Sequence, residues 1–224
     1  MYDVSLSYDN ARATSRPVNV FVSNGFLTIR ALRESLLGRE FTTGYLHTIG
    51  KFAQRYGRWE MRAKLPLAHG TSRGIWPAFW LRPEGVGTGN GEIDILEAYG
   101  TPSDNGDTTD WVAFAVHEIT DGTGGKKSIG FSPVTTDEEF HTYALEWTPE
   151  NLKWIVDGIV RFTVLSTAVT WYDVALGKAF NIRLNLQVGS SYRGRPDPLH
   201  PELTVMPADY VVEYVRAWSL PAGG

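Results

Sequence analysis

Between Gly91 and Gly100 the chain reads Gly-Glu-Ile-Asp-Ile-Leu-Glu-Ala-Tyr-Gly, so that three carboxylates, Glu92, Asp94 and Glu97, are interleaved with Ile93, Ile95 and Leu96. Acids alternating with aliphatic residues predict a β-strand with one buried face. Glu92 and Asp94 share a face because they are two apart, whereas Glu97, five residues after Glu92, would point away in a regular strand. One β-bulge around Ile95–Leu96 returns Glu97 to the side of the other two, and bulges occur beside active sites, where they re-aim a side chain. Like charges so close cost free energy unless one of them takes a proton, which raises that group's pKa. A protonated carboxyl beside an ionised one is the pair that breaks a glycosidic bond: one protonates the leaving oxygen and the other attacks. A solvated acidic face and one end of a cation site are the alternatives, and the surrounding chain has to decide.

The elements that would position these acids are short and β-rich. From Gly57 to Leu65, Trp59, Met61, Ala63 and Leu65 alternate with Arg58, Glu60, Arg62 and Lys64, a core face against a solvated one. Trp111 to His117 puts Val112, Phe114 and Val116 on one face. Trp111, Ala113, Ala115 and His117 lie on the other, where small alanines leave room for a ligand; a buried, satisfied histidine is the plain alternative for His117. In Phe180 to Val188 the apolar face is Phe180, Ile182, Leu184, Leu186 and Val188, against Asn181, Arg183, Asn185 and Gln187. Amides and a guanidinium are expensive to bury unpaired, and suit hydrogen bonding to hydroxyls on an open surface. Asn24-Gly25 and Asp157-Gly158 each sit between two β-rich runs and predict tight hairpins. Trp147 and Trp154 are assigned to the core, while Trp76 and, less strongly, Trp80 are candidate stacking platforms, since a ring face complements the C–H face of a pyranose; aromatic packing in the core is the competing role. The glycine-rich run Gly85–Gly91 leads into the acidic strand and not into a helix, so it lacks the context of a phosphate loop. His117-Glu118 is followed by no second histidine in zinc-protease spacing, and there is no G-x-S-x-G elbow.

Length and composition bound the rest. The 224 residues, 42% hydrophobic and 21% charged, suffice for one substantial core, and the expected organisation is a single domain over 1–224. Eight tryptophans and an aromatic share of 12% are high enough to serve both a core and a sugar-binding surface. A net charge of −4 gives no support to nucleic-acid binding. No apolar run reaches the length of a membrane span, and Met1–Leu6 lacks the basic and hydrophobic regions of a signal peptide. There are no cysteines, so neither disulfides nor thiolate metal sites are expected. Many short strands punctuated by turns, without helical periodicity, predict an all-β antiparallel sandwich.

Three motifs in this order and spacing, Arg55-Tyr56-Gly57-Arg58-Trp59-Glu60-Met61-Arg62-Ala63-Lys64-Leu65-Pro66, Trp76-Pro77-Ala78-Phe79-Trp80-Leu81 and Glu92-Ile93-Asp94-Ile95-Leu96-Glu97, resemble glycoside hydrolase family 16. The six-residue, bulged form of the last is similar to the laminarinase-type branch. The resemblance spans Asn19 to Trp218 and implies a curved β-jelly roll with a concave substrate cleft. It also implies a retaining endo-glycosidase acting on β-1,3-glucan, with Glu92 as nucleophile, Glu97 as acid/base and Asp94 tuning Glu92. Agarose, carrageenan, mixed-linkage glucan or sugar transfer are the alternatives within the family, and a non-catalytic carbohydrate-binding module the alternative outside it. It places Arg58 and His117 in the cleft beside Trp76, Trp80, Asn185 and Gln187. No cofactor is required for the chemistry, and Asp209 is a candidate ligand of a structural calcium ion, with backbone carbonyls near Gly25; a turn residue is the other reading of Asp209. The resemblance further implies an extracellular enzyme whose partner is a polysaccharide, with Tyr192 taking the place of a tryptophan in the loop after Val188. A monomer is expected, and Arg58, Arg183 and Arg193 as the cationic candidates of the cleft are too few for a sulfated galactan and favour a neutral glucan.

Overall fold

The computed structural model describes residues 10–85, 91–100, 109–119, 126–134, 139–191 and 194–220. In chain order the strands are β1 (Ala11–Ala13), β2 (Val20–Ser23), β3 (Phe26–Ala31), β4 (Phe41–Thr43), β5 (Tyr45–His47), β6 (Ala53–Gln54), β7 (Gly57–Lys64), β8 (Ile75–Pro83), β9 (Gly91–Ala98), β10 (Trp111–Glu118) and β11 (Lys126–Pro133). They continue with β12 (His141–Trp147), β13 (Asn151–Val156) and β14 (Ile159–Leu165), then a short helix α1 (Tyr172–Leu176), β15 (Phe180–Val188) and β16 (Ala208–Trp218). Two seven-stranded sheets result: one ordered β11-β10-β9-β8-β15-β5 with β6 also on β15, the other β14-β13-β12-β7-β16-β3-β2. The ladders within both are antiparallel; β1 and β4 form a small parallel pair apart from them. An all-β sandwich is what the alternation predicts, and α1 is too short to carry the helical period by which a sequence announces a helix.

The local signals act as their chemistry requires. Asn24 and Gly25 take φ of 51° and 85°, and Asp157 and Gly158 of 49° and 77°, the left-handed pair that a two-residue hairpin needs to match strand twist. Trp59, Met61 and Ala63 are fully buried, as are Trp147 and Trp154. Between the sheets the rings interlock, Trp59 with Trp147 at 5.7 Å, Trp147 with Phe180 at 5.1 Å and Trp154 with Phe162 at 5.0 Å. Such pairs add to the burial of large apolar surfaces that dominates core stability.

The sandwich overturns two site expectations. Because Trp59 and Met61 of β7 face the core, Arg58 faces outward on the sheet that does not carry β9. There it pairs with Glu60 at 2.6 Å and Glu146 at 2.7 Å, far from the acidic strand in the sheet order. Asp209, on β16 of the same sheet, has both carboxylate oxygens engaged by Arg30, Nε to Oδ1 and Nη2 to Oδ2, each at 2.7 Å. A bidentate guanidinium already supplies the positive charge and fills the acceptor lone pairs, so Asp209 as arranged does not fit a calcium ligand.

The strand β9 is clamped at both ends by close backbone approaches. A Cβ at Gly91 would lie 2.2 Å from the carbonyl oxygen of Ala175 in α1, and one at Gly100 would lie 1.9 Å from the carbonyl oxygen of Ser72. Neither backbone atom can swing aside as a side-chain tip can. Gly91→Ala and Gly100→Ala are each therefore expected to cost about 1–3 kcal/mol and to lower the thermal midpoint by several degrees in a circular dichroism melt, with activity falling alongside.

Candidate active site

The strand carrying the three acids is bulged where the sequence requires it. On β8, Ala78 stands opposite Glu97 and Phe79 opposite Leu96, and then Trp80 opposite Asp94, skipping Ile95. On β10, Ala113 opposes Glu97 and Ala115 opposes Asp94, leaving two residues of β9 against one. Ile95 and Leu96 are both buried, and the carbonyl of Asp94 accepts a 2.7 Å hydrogen bond from the indole N–H of Trp154, which reaches across the core from β13. The extra residue thus sinks into the core, and Glu92, Asp94 and Glu97 emerge together on the outer face of the sheet.

Register fixes what surrounds them. Beside Glu92 on that face stand Arg82 on one side and His117, then Lys127, on the other. The row through Asp94 runs Arg183, Trp80, Asp94, Ala115, Ile129, and the row through Glu97 runs Asn185, Ala78, Glu97, Ala113, Phe131. Because alanines occupy the centre, a hollow of about 260 Å³ opens above the acids, walled by Trp76 and Tyr99 at one end and by His117, Ile129 and Phe131 on the β10–β11 side.

The acids experience different fields. Glu92 Oε2 is held by Arg82 Nη1 at 2.7 Å. Asp94 is almost entirely withdrawn from solvent and its Oδ2 lies 2.9 Å from His117 Nε2. Burial first, and the Glu92 charge second, push its pKa well up, against the pull of Arg82. Glu97 is pushed up from 4.5 to about 8, by burial above all and then by the charges of Asp94 and Glu92, opposed by a hydrogen bond with Tyr99 and by His117. One carboxylate is thus held in an ion pair while another keeps its proton at neutral pH, the division of roles needed for acid-assisted attack on an acetal.

The expected residues meet in this hollow with exceptions. Trp76 lines it and contacts Tyr99 edge-on at 5.1 Å. Trp80 shares the face, but its N–H donates to Asn185 Oδ1 at 2.7 Å and Arg183 covers one face of its ring at 5.0 Å. Asn185 spends its oxygen on that bond, and Gln187 lies across from Trp76 with its Nε2 donating to the Gly189 carbonyl. The resemblance implies that Asp94 acts on Glu92; its bonded neighbour here is His117, and the group bonded to Glu92 is Arg82. Arg58 and Asp209 are on the other sheet. Tyr192, Arg193, the loop 86–90 and the loop 120–125 lie outside the described residues. Sequence reasoning passed over Arg82, Tyr99 and Trp154. Arg82 was findable, since it follows Trp76 and Trp80 at period two on the same strand; Trp154 was not, because its partner is a backbone carbonyl sixty residues away across the core.

Two carboxyls on the open face of a β-sandwich, one ion-paired and the other with its pKa raised, are the arrangement that a glycoside hydrolase uses. Residues 7–200 match the description of Glycosyl hydrolases family 16, and the chain belongs to that family. It is 36% identical over 215 residues to the Beta-glucanase of Rhodothermus marinus, a match covering 91% of this chain and 71% of that protein. To Glucan endo-1,3-beta-glucosidase A1 of Niallia circulans it is 30% identical, over 92% of this chain but 31% of that longer protein. The solved laminarinase from Rhodothermus marinus superposes with a TM-score of 0.78 at 34% identity, covering 94% of this chain and 84% of that one.

If Glu97 is the proton donor, the rate of hydrolysis falls as pH rises through about 8, and Glu97→Gln lowers kcat by about 10²–10⁴-fold on substrates with poor leaving groups. Stability follows with a defined sign. Since Glu97 titrates higher folded than unfolded, its contribution is full below the ordinary value of 4.5 and is lost as pH rises through about 8. Urea denaturation across that window should show a decline in the wild type that Glu97→Gln reduces.

Proposed function

We propose that the protein is an endo-acting, retaining glycoside hydrolase that cleaves β-1,3-linked glucan of the laminarin type. Glu92 attacks the anomeric carbon while Glu97 delivers its proton to the departing glycosidic oxygen. Water then adds to the glycosyl-enzyme, Glu97 takes its proton, and the bond to Glu92 breaks. Asp94, buried and hydrogen-bonded with His117, has its pKa raised by burial and by the Glu92 charge, which limits the negative charge at the centre of the strand and thereby sustains the difference between the glutamates. Trp76 offers a ring face to a bound sugar, and the alanines of β10 leave the space that ring occupies.

The observation that carries this reading is the bulge at Ile95–Leu96, which sets Glu92 and Glu97 on one face with one ion-paired and the other protonated. A cation held by Glu92, Asp94 and His117, whose ligand atoms lie within 4.8 Å of one another, would want Asp94 ionised, and its burial opposes that. The preference for a neutral glucan rests on the kinship with glucanases and on the commitment of Arg183 to Trp80, Asn181 and Tyr45, which leaves it a poor receptor for a sulfated galactan. Action outside the cell as a monomer completes the proposal, in keeping with a polymeric substrate too large to enter one.

The test is hydrolysis of laminarin, with the anomer of the first product read by NMR. Release of β-configured reducing ends by the wild type, and their loss in Glu92→Gln, is expected. Release of the α-anomer would replace retention by inversion, and equal turnover by both proteins would remove Glu92 from the chemistry. Cleavage of mixed-linkage glucan or agarose with laminarin untouched would keep the mechanism and change the substrate.

A further inference from the structure

Arg82 is the residue in this site whose role neither the sequence nor the mechanism above explains. It lies on β8 with Trp76 and Trp80, and its Nη1 is 2.7 Å from Glu92 Oε2, the two side chains being 29% and 21% exposed. Among the described residues, Glu92 is the polar group bonded to it. Its neighbour on the other side, Asn181, is a neutral amide whose Nδ2 donates to the Pro83 carbonyl and whose Oδ1 accepts from Arg183. No second carboxylate of a described residue is bonded to Arg82 when Glu92 is taken away.

We infer that Arg82 speeds breakdown of the covalent intermediate by pairing with Glu92 as it leaves, an inference that rests on Glu92 being the nucleophile. When Glu92 attacks, its carboxylate becomes a neutral ester and the ion pair is lost. When water adds to the anomeric carbon, its proton passes to Glu97, the bond from that carbon to the Glu92 oxygen breaks, and the electron pair returns to a carboxylate that Arg82 meets at once. An interaction present before attack and after release, but missing in between, raises the intermediate in energy relative to both. It holds back the first step somewhat and accelerates the second. Because both partners are partly withdrawn from water, the pair is less screened than a surface one. Arg82 is thus a positioning residue that acts through Glu92 and need not touch the sugar.

This differs from a structural role in what it does to the two kinetic constants. With an aryl β-laminaribioside carrying a good leaving group, release of the aryl alcohol is fast and breakdown of the intermediate limits turnover. Arg82→Met is expected to lower kcat by about 10- to 100-fold, the loss of a hydrogen bond between charged groups, while kcat/KM, which reports the first step, stays level or rises, so that KM falls. A burst of aryl alcohol equal to the enzyme concentration should appear in stopped flow. Arg82→Lys should recover much of kcat, and Arg82→Gln, which keeps a donor without the charge, should not; these two serve if Arg82→Met does not fold. Equal loss of kcat and kcat/KM without a burst overturns the inference, as does the same kcat in the Lys and Gln variants. The underlying assignment is tested separately by trapping the wild type with a 2-deoxy-2-fluoro-laminaribiosyl fluoride. Label on a residue other than Glu92 in peptide mass spectra would remove the nucleophile, whatever Arg82 does.

Discussion

The site depends on one extra residue in one strand. A β-strand can show only alternate side chains to a face, so three acids spaced two and then three apart cannot converge without a break in the ladder. The break occurs at Ile95–Leu96, and two features hold it there. Both aliphatic side chains are taken into the core, where burial of each contributes on the order of 1.5–3 kcal/mol. The carbonyl of Asp94 finds a donor in the buried indole of Trp154, so the irregular backbone carries no orphaned acceptor there. A residue of the opposite sheet thereby shapes the face that does the chemistry.

The bulge also creates the electrostatic problem that the site exploits. Three carboxyls on one face cannot all ionise, and the surroundings decide which yields. Glu92, beside Arg82, has a counter-charge within 2.7 Å. Burial raises the pKa of both Asp94 and Glu97, the latter to about 8, with His117 beside the first and Tyr99 beside the second. Small residues finish the arrangement: Ala78, Ala113 and Ala115 surround the acids in register, and the volume their side chains do not fill is the hollow a sugar would enter.

The facing sheet shows how the same residue types behave without that constraint. Arg58 stands opposite Glu146 in register and two residues before Glu60 on its own strand, and it pairs with both in a partly exposed network, which Tyr214 joins through Glu60. Arg30 and Asp209 form a closed pair, with Arg30 also lying over the Phe21 ring at 5.0 Å. These are satisfied groups on a surface, and they invite no substrate. Their types and their alternation with apolar residues are nonetheless like those of the polar row on β15, which belongs to the sheet that carries the acids.

That likeness marks the boundary between what could be read from the chain and what could not. Local rules sufficed for the two hairpins at Asn24-Gly25 and Asp157-Gly158, for the buried faces of β7, β10 and β15, and for the bulge, since these follow from backbone sterics and from a period of two that any strand obeys. Family resemblance supplied the motif around Glu92, and it carried Arg58 into a cleft from which the sandwich excludes it. Alternation says that Arg58 and Asn185 both point away from the core; it does not say which sheet each strand joins, and only one sheet has β9 in it. Pairings across long separations were likewise hidden, Arg30 with Asp209 and Trp154 with the carbonyl of Asp94; period two sets Arg82 on the face of Trp76 and Trp80 but does not say that it meets Glu92 on the next strand. Sequence alone determined which side chains could do acid chemistry and that they had to share a face. Tertiary structure decided which of them would be charged, because a carboxyl's proton is governed by the burial and the counter-charges around it, and those are contributed by strands that the chain brings together only on folding.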